Sequence, residues 1–145
     1  MEDYRWLIYA VLAAVAAAMV GIFGKVGMSE VDSNLATAIR SVVMTAFLLA
    51  VCTALRLWEK LPAMRGRAVV MIVLSGVAGA TSWLFYFKAI KLATVSRVAP
   101  VDKLSMPLAV VLAAIILGDR PSRLNWLGIA LIVGGAYLAA LPARR

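Results

Sequence analysis

The sequence predicts an all-α membrane protein of five transmembrane helices, and three observations carry that reading. Of 145 residues 64% are hydrophobic, and the mean hydropathy is +0.96. The charged residues gather between long runs of Ala, Val, Leu and Ile instead of along them. A soluble domain is closer to half apolar, and a chain of this length has too small an interior to hide so much apolar surface. The surrounding solvent is therefore lipid. Barrel strands would need alternating polarity over about ten residues. Val11-Leu12-Ala13-Ala14-Val15-Ala16 does not alternate, so the spans are helices.

A helix needs about 20 apolar residues to cross the hydrocarbon. The first span is expected from about Trp6 to Gly24, followed by a polar break, Lys25 through Asn34, that holds Glu30, Asp32 and Ser33. The second runs from about Leu35 to Leu55 with Arg40 near its start. The basic segment Arg56–Arg67 comes next; Pro62 and Gly66 suit a turn and Trp58 suits the interface. The third span, about Ala68 to Phe87, ends in Lys88, and the short connection Lys88–Thr94 makes spans three and four antiparallel neighbours. The fourth, about Val95 to Leu117, carries Arg97, Pro100, Asp102, Lys103 and Pro107 before a clean apolar half. Gly118 through Ser122 form a turn whose Ser122 can cap the last span, about Leu124 to Leu141, before Arg144 and Arg145. No internal repeat or linker divides the chain, so residues 1–145 are expected to form a single domain.

A net charge of +8 suggests nucleic acid first. The basic residues instead flank the spans, as membrane topology requires, and no basic face of a folded domain is left for nucleic acid. There is no histidine and a single cysteine, Cys52, inside an apolar run. Metal, haem and disulfide sites are not expected, and Cys52 is assigned no role. The acidic start, Met1-Glu2-Asp3, is unlike a secretory signal, so the first span is expected to be retained. No nucleophile–base constellation or phosphate loop is present, which argues against an enzyme.

With the N-terminus inside, seven basic residues (Arg5, Arg56, Lys60, Arg65, Arg67, Arg120, Arg123) face six outside (Lys25, Lys88, Lys91, Arg97, Arg144, Arg145). So small a bias leaves two orientations open: a single one, and dual insertion with copies paired antiparallel.

Ionisable groups within a span cost about 2.5–3.5 kcal/mol each on insertion scales. Arg40 and Asp102 lie at similar depth from one face, roughly 8 and 10 Å in, where each can neutralise the other. Lys103 is a rival partner about 100° round the helix; Lys103 and Arg97 can also snorkel to the headgroups. Asp102 is too short to snorkel and is the only acid within a span, hence the expected carrier of a coupling proton or cation. Pro100 and Pro107 bracket this stretch and are expected to kink the helix, as in transporter binding sites. Trp83, Phe85, Tyr86 and Phe87 form either an interfacial belt or an aromatic wall for a cationic or flat solute, with Ser82, Trp83 and Tyr86 on a shared face. Ser75/Gly79 and Gly76/Ala80 in span three and Ala130/Gly134 in span five have the spacing of close helix contacts, the last with a second copy.

The stretches Phe85–Lys91 (FYFKAIK), Val95–Ser105 (VSRVAPVDKLS), Leu117–Pro121 (LGDRP) and Leu124–Gly128 (LNWLG) resemble the EamA-like drug/metabolite transporter superfamily, closest to its five-helix bacterial/archaeal branch. The match is detailed over the second half and holds in span count throughout. Asp119 stands where Glu is usual, and the first span lacks the Glu that four-helix multidrug relatives use. The resemblance implies half of a ten-helix inverted-repeat architecture, in which one five-helix unit pairs with a second around a cavity. The expected function is a subunit, in a bacterial or archaeal cytoplasmic membrane, that moves a small metabolite or drug-like solute by alternating access. It is expected to act as a homodimer, without cofactor, using Arg40, Ser82, Trp83, Tyr86, Asp102, Lys103 and Ser105. The alternative is a non-transporting accessory subunit of a larger membrane complex.

Overall fold

The computed structural model describes residues 4–141. The expectations at Met1–Asp3 and at Arg144 and Arg145 lie outside the described residues. Among the described residues the secondary structure is all helix and turn: α1 (Arg5–Gly27), α2 (Ser33–Ala54), a 3-10 helix (Leu57–Ala63), α3 (Gly66–Leu92), α4 (Val95–Asp102), α5 (Ser105–Leu112) with a π turn (Ala113–Leu117), and α6 (Arg123–Ala140). Taking Val95–Leu117 as one span, five helices among the described residues are long and apolar enough to cross a membrane.

Several boundaries differ from the sequence reading. α3 runs on to Leu92 instead of stopping at Phe87, because Lys88 and Lys91 are good helix formers and neither interrupts the backbone bonds. The connection to α4 shrinks to Ala93 and Thr94. The Arg56–Arg67 segment is also more ordered than a turn. Its 3-10 helix contains Pro62, Gly66 opens α3, and the Trp58 indole Nε1 donates to Thr53 Oγ1 at 3.0 Å, folding the segment against the end of α2. α2 ends where Arg56 takes a left-handed backbone, φ 52°, with its N–H donating to Thr53 O at 3.1 Å.

The fourth span is broken between its prolines. Pro107 has no N–H to give the Lys103 carbonyl four residues back, and its ring crowds that carbonyl. Lys103 O accepts instead from Met106 N at 3.0 Å, and Leu104 N donates to Val101 O at 3.0 Å, so the ladder tightens to three-residue bonds for one turn. Pro107 then occupies the third position of α5, where a missing donor costs least. Pro100 is accommodated within α4. At the far end Gly118, φ 76°, turns the chain out of the π turn, and Gly118 and Asp119 both donate to Ala113 O. Ser122 caps α6 as expected, accepting from Asn125 N at 3.2 Å.

The chain falls into two compact units, residues 23–91 and residues 4–22 with 92–141. In the first, the core is small: Phe87 and Ile90 are 2% and 0% exposed. A Cβ built on Gly24 would stand 2.4 Å from Phe87 Cε1, so α1 approaches α3 more closely than any side chain there permits. In the second unit α6 packs on α4 and α5, and Ala136 is buried. Outside these contacts the large apolar side chains lie open; Phe47 and Leu131 are each 68% exposed. In water such a surface aggregates, whereas in hydrocarbon it is the solvated face. Within their own units the small-residue pairs mark no contact among the described residues. Among the described residues nothing lies within 4 Å of a Cβ built on Gly76, Gly79 or Gly134.

Candidate functional site

In the unit of residues 23–91 the site begins at a helix cap. Asp32 Oδ1 accepts from Asn34 N at 2.8 Å and Leu35 N at 3.3 Å, fixing where α2 starts. The bonds from Asn34 and then Leu35, with Lys91 nearby, hold its carboxyl below the usual carboxylate range. Two lysines tie the same end of the unit. Lys25, in the last turn of α1, donates to Ile90 O, and Lys91 donates to Val31 O at 2.8 Å. Lys25, Met28, Ser29 and Lys91 line a cavity of about 280 Å³ there.

From that start, seven residues of helix carry Arg40 roughly 10 Å along α2. Its guanidinium carbon lies 3.7 Å from the Trp83 ring centroid and 5.4 Å from that of Phe87. Trp83 meets Tyr86 edge-on at 5.5 Å and 86°, and Phe87 at 5.5 Å. Because α3 continues to Leu92, Trp83 sits roughly 13 Å from its end, well inside the helix. Phe87, pinned by Gly24, backs the ring cluster, and the cluster backs the guanidinium. Ser82, also predicted for the site, is exposed on α3 beside Trp83.

The sequence reading passes over a feature of α2 on the same stretch of helix. Thr37 Oγ1 donates to Ser33 O at 2.7 Å, Ser41 Oγ to Thr37 O at 2.8 Å, and Thr45 Oγ1 to Ser41 O at 2.9 Å. Each hydroxyl proton is thus satisfied by the helix's own backbone, which leaves lone pairs facing outward. Ser33 and Thr37 are buried, while Ser41 and Thr45 line an open groove with Val42, Ala46 and Leu49. The legible signal is hydroxyl residues repeating every four positions through an apolar run.

The second unit holds the other predicted charges. Lys103 Nζ pairs with Asp102 Oδ2 at 3.4 Å. Neighbouring residues point apart in a continuous helix; they meet here because α4 stops at Asp102 and Lys103 caps it. Arg97, expected to snorkel, has a fixed partner: its Nε donates to Ala140 O at 3.1 Å. That carbonyl is the last of α6, at the negative end of its dipole. Ser105 opens α5 and is exposed. Arg40 and Asp102 therefore belong to different units, and each has the neighbours its own unit supplies. Among the described residues no three His, Cys, Asp or Glu side chains group to hold a metal ion.

The chain matches the EamA-like transporter family over residues 4–141. It is 40% identical over 136 residues, 94% of this chain and 96% of the relative, to a protein of Sinorhizobium sp named as an uncharacterized transporter in the cobO 3' region. No solved structure matches it. Five apolar helices, an ionised side chain two turns inside one of them and a family match over almost the whole length agree: the chain is a multi-pass membrane transporter of the EamA-like transporter family.

Proposed function

We propose that this chain is one half of a carrier that moves a small metabolite or drug-like solute across the cytoplasmic membrane by alternating access. The observation that carries this reading is Arg40, an ionised group inside a span, held 3.7 Å over Trp83. Intramembrane charges are costly and mark solute or ion pathways by default. Arg40, Trp83 and Tyr86 form the solute site. Asp102, half-buried at the break in the fourth span and paired with Lys103, is the coupling group, since protonating it releases that ammonium. A broken helix beside charged residues supplies the hinge that such carriers use.

The working unit is a homodimer. The Ala130/Gly134 face of α6 is open and suits close helix approach by a second copy. A parallel and an antiparallel pair differ in one measurement, the labelling of single cysteines placed in the Arg56–Arg67 segment. Labelling from both sides of sealed vesicles is expected of dual insertion, and labelling from one side retires it.

In proteoliposomes Asp102→Asn is expected to abolish uphill accumulation while leaving insertion and solute exchange intact. Full uphill transport by that variant removes Asp102 from the mechanism. An absence of solute movement from the wild-type chain, across charged and neutral panels, refutes the carrier itself.

A further inference from the structure

We infer that Arg40 is an anion anchor: the solute is a small organic anion whose carboxylate or phosphate is held by the guanidinium fork of Arg40, with Trp83 as the platform behind it. This rests on the carrier reading above and names its substrate class.

The geometry disfavours a cationic solute on the Trp83 face that Arg40 occupies. With its guanidinium carbon 3.7 Å from the centroid, Arg40 lies over the face of Trp83. The ring face that would attract a cationic solute is already covered by the protein's own cation, and a second positive charge there is repelled. A guanidinium carries five N–H donors, more than one ring face can take up, in the planar fork that matches carboxylate or phosphate. Within residues 23–91 the acids are Glu30, Asp32 and Glu59. Asp32 is committed to the α2 cap. Among the described residues of that unit, neither a carboxylate nor a carbonyl accepts from Arg40. A cation so placed is stabilised from behind and unanswered in front.

The surroundings favour the same charge. At the end of the unit where α2 starts, the side chains of Lys25 and Lys91 line the cavity beside Ser29, which raises the local concentration of anions there. The hydroxyl oxygens of Ser41 and Thr45 present acceptors beyond Arg40. They suit donor groups flanking the solute's anionic end.

The test uses the full chain in nanodiscs of neutral phosphatidylcholine, with Trp6, Trp58 and Trp126 replaced by Phe so that Trp83 alone reports. Succinate and glycerol 3-phosphate are expected to change its fluorescence saturably; tetraphenylphosphonium is not. Arg40→Gln should weaken the anion response by roughly 10- to 100-fold, as expected for loss of a charge-assisted pair. Arg40→Lys, which keeps the charge and loses the fork, should fall between. Retention of the response in Arg40→Gln, or saturable binding of tetraphenylphosphonium to the wild-type chain, overturns the inference. A response to added phosphatidylglycerol but to neither soluble probe assigns the site to lipid headgroups and overturns the solute claim. Restored behaviour in an Arg40→Gln/Asp102→Asn double variant marks those residues as a structural pair and overturns it too. Counterflow in proteoliposomes separates the two readings. Saturable anion binding without movement of any solute sinks the carrier and leaves the anchor, whereas transport of cations or neutral solutes that ignores Arg40 sinks the anchor alone.

Discussion

Arg40 and Asp102 both lie roughly 10 Å into an apolar span, yet the helices around them treat the two charges differently. Asp102 sits where α4 ends, and the end of the helix lets the adjacent Lys103 swing round to it at 3.4 Å. Arg40 sits inside an unbroken helix and lies over a ring contributed by α3. The first arrangement answers a carboxylate with an ammonium that is itself 53% exposed, so the pair can open. The second holds a cation over a ring face, with no carboxylate of its own unit paired to it among the described residues. On the reading proposed above, a charge that is to be protonated and a charge that is to grip a ligand call for different surroundings, and the two units offer one of each.

Breaking the platform behind Arg40 is expected to have the largest effect. Gly24→Ala drives a methyl into buried Phe87, and overpacking of that kind costs about 1–3 kcal/mol. Its melting temperature should fall and Trp83 fluorescence should shift, whereas Gly76→Ala, with open space at the added methyl, should leave both unchanged. Next comes Trp83→Ala, which removes a cation–π contact of up to about 2 kcal/mol. Anion affinity is expected to drop by roughly tenfold or more, measured by calorimetry, with Trp83→Phe retaining part of it. Lys103→Met sharpens the other side of the comparison. A partly exposed pair contributes about 1 kcal/mol or less, so stability should barely move while uphill accumulation in proteoliposomes falls, because Asp102 loses its partner. The smallest effect belongs to Asp32. Its carboxyl is depressed in the folded chain, so its contribution is present at neutral pH and is lost as the pH falls through and below the ordinary carboxylate range. Asp32→Asn, still a good cap, should flatten that acid limb of a thermal melt and change little at pH 7.

The spans were legible because an apolar run long enough to cross hydrocarbon, bounded by Lys, Arg, Gly or Pro, has one economical structure in lipid. The boundary at Phe87 was misplaced for a related reason: lysine ends an apolar run without ending a helix, and α3 continues to Leu92. The break in the fourth span could be read from Pro107, whose missing donor acts locally. Partners were harder. Arg40 and Trp83 stand on different helices, and no spacing rule says which ring a guanidinium will lie on. Asp102 and Lys103 were adjacent in the sequence, yet their meeting depends on α4 ending between them. The hydroxyl series Ser33, Thr37, Ser41 and Thr45 was plain at four-residue intervals, but hydroxyls that bond their own backbone leave no hydropathy signal strong enough to break an apolar run.

One turn has a consequence for how the chain reaches its place. Arg56 stands in the left-handed backbone conformation at which helices commonly finish on glycine, so its own side chain makes the folded state harder to reach. Glycine at that point is expected to relax the backbone and raise thermal stability, while removing one of the basic residues that set orientation during insertion. Folding ease and directional insertion therefore pull on this residue in opposite senses, and Arg56→Gly, read by both melting temperature and vesicle sidedness, should gain in the first and lose in the second.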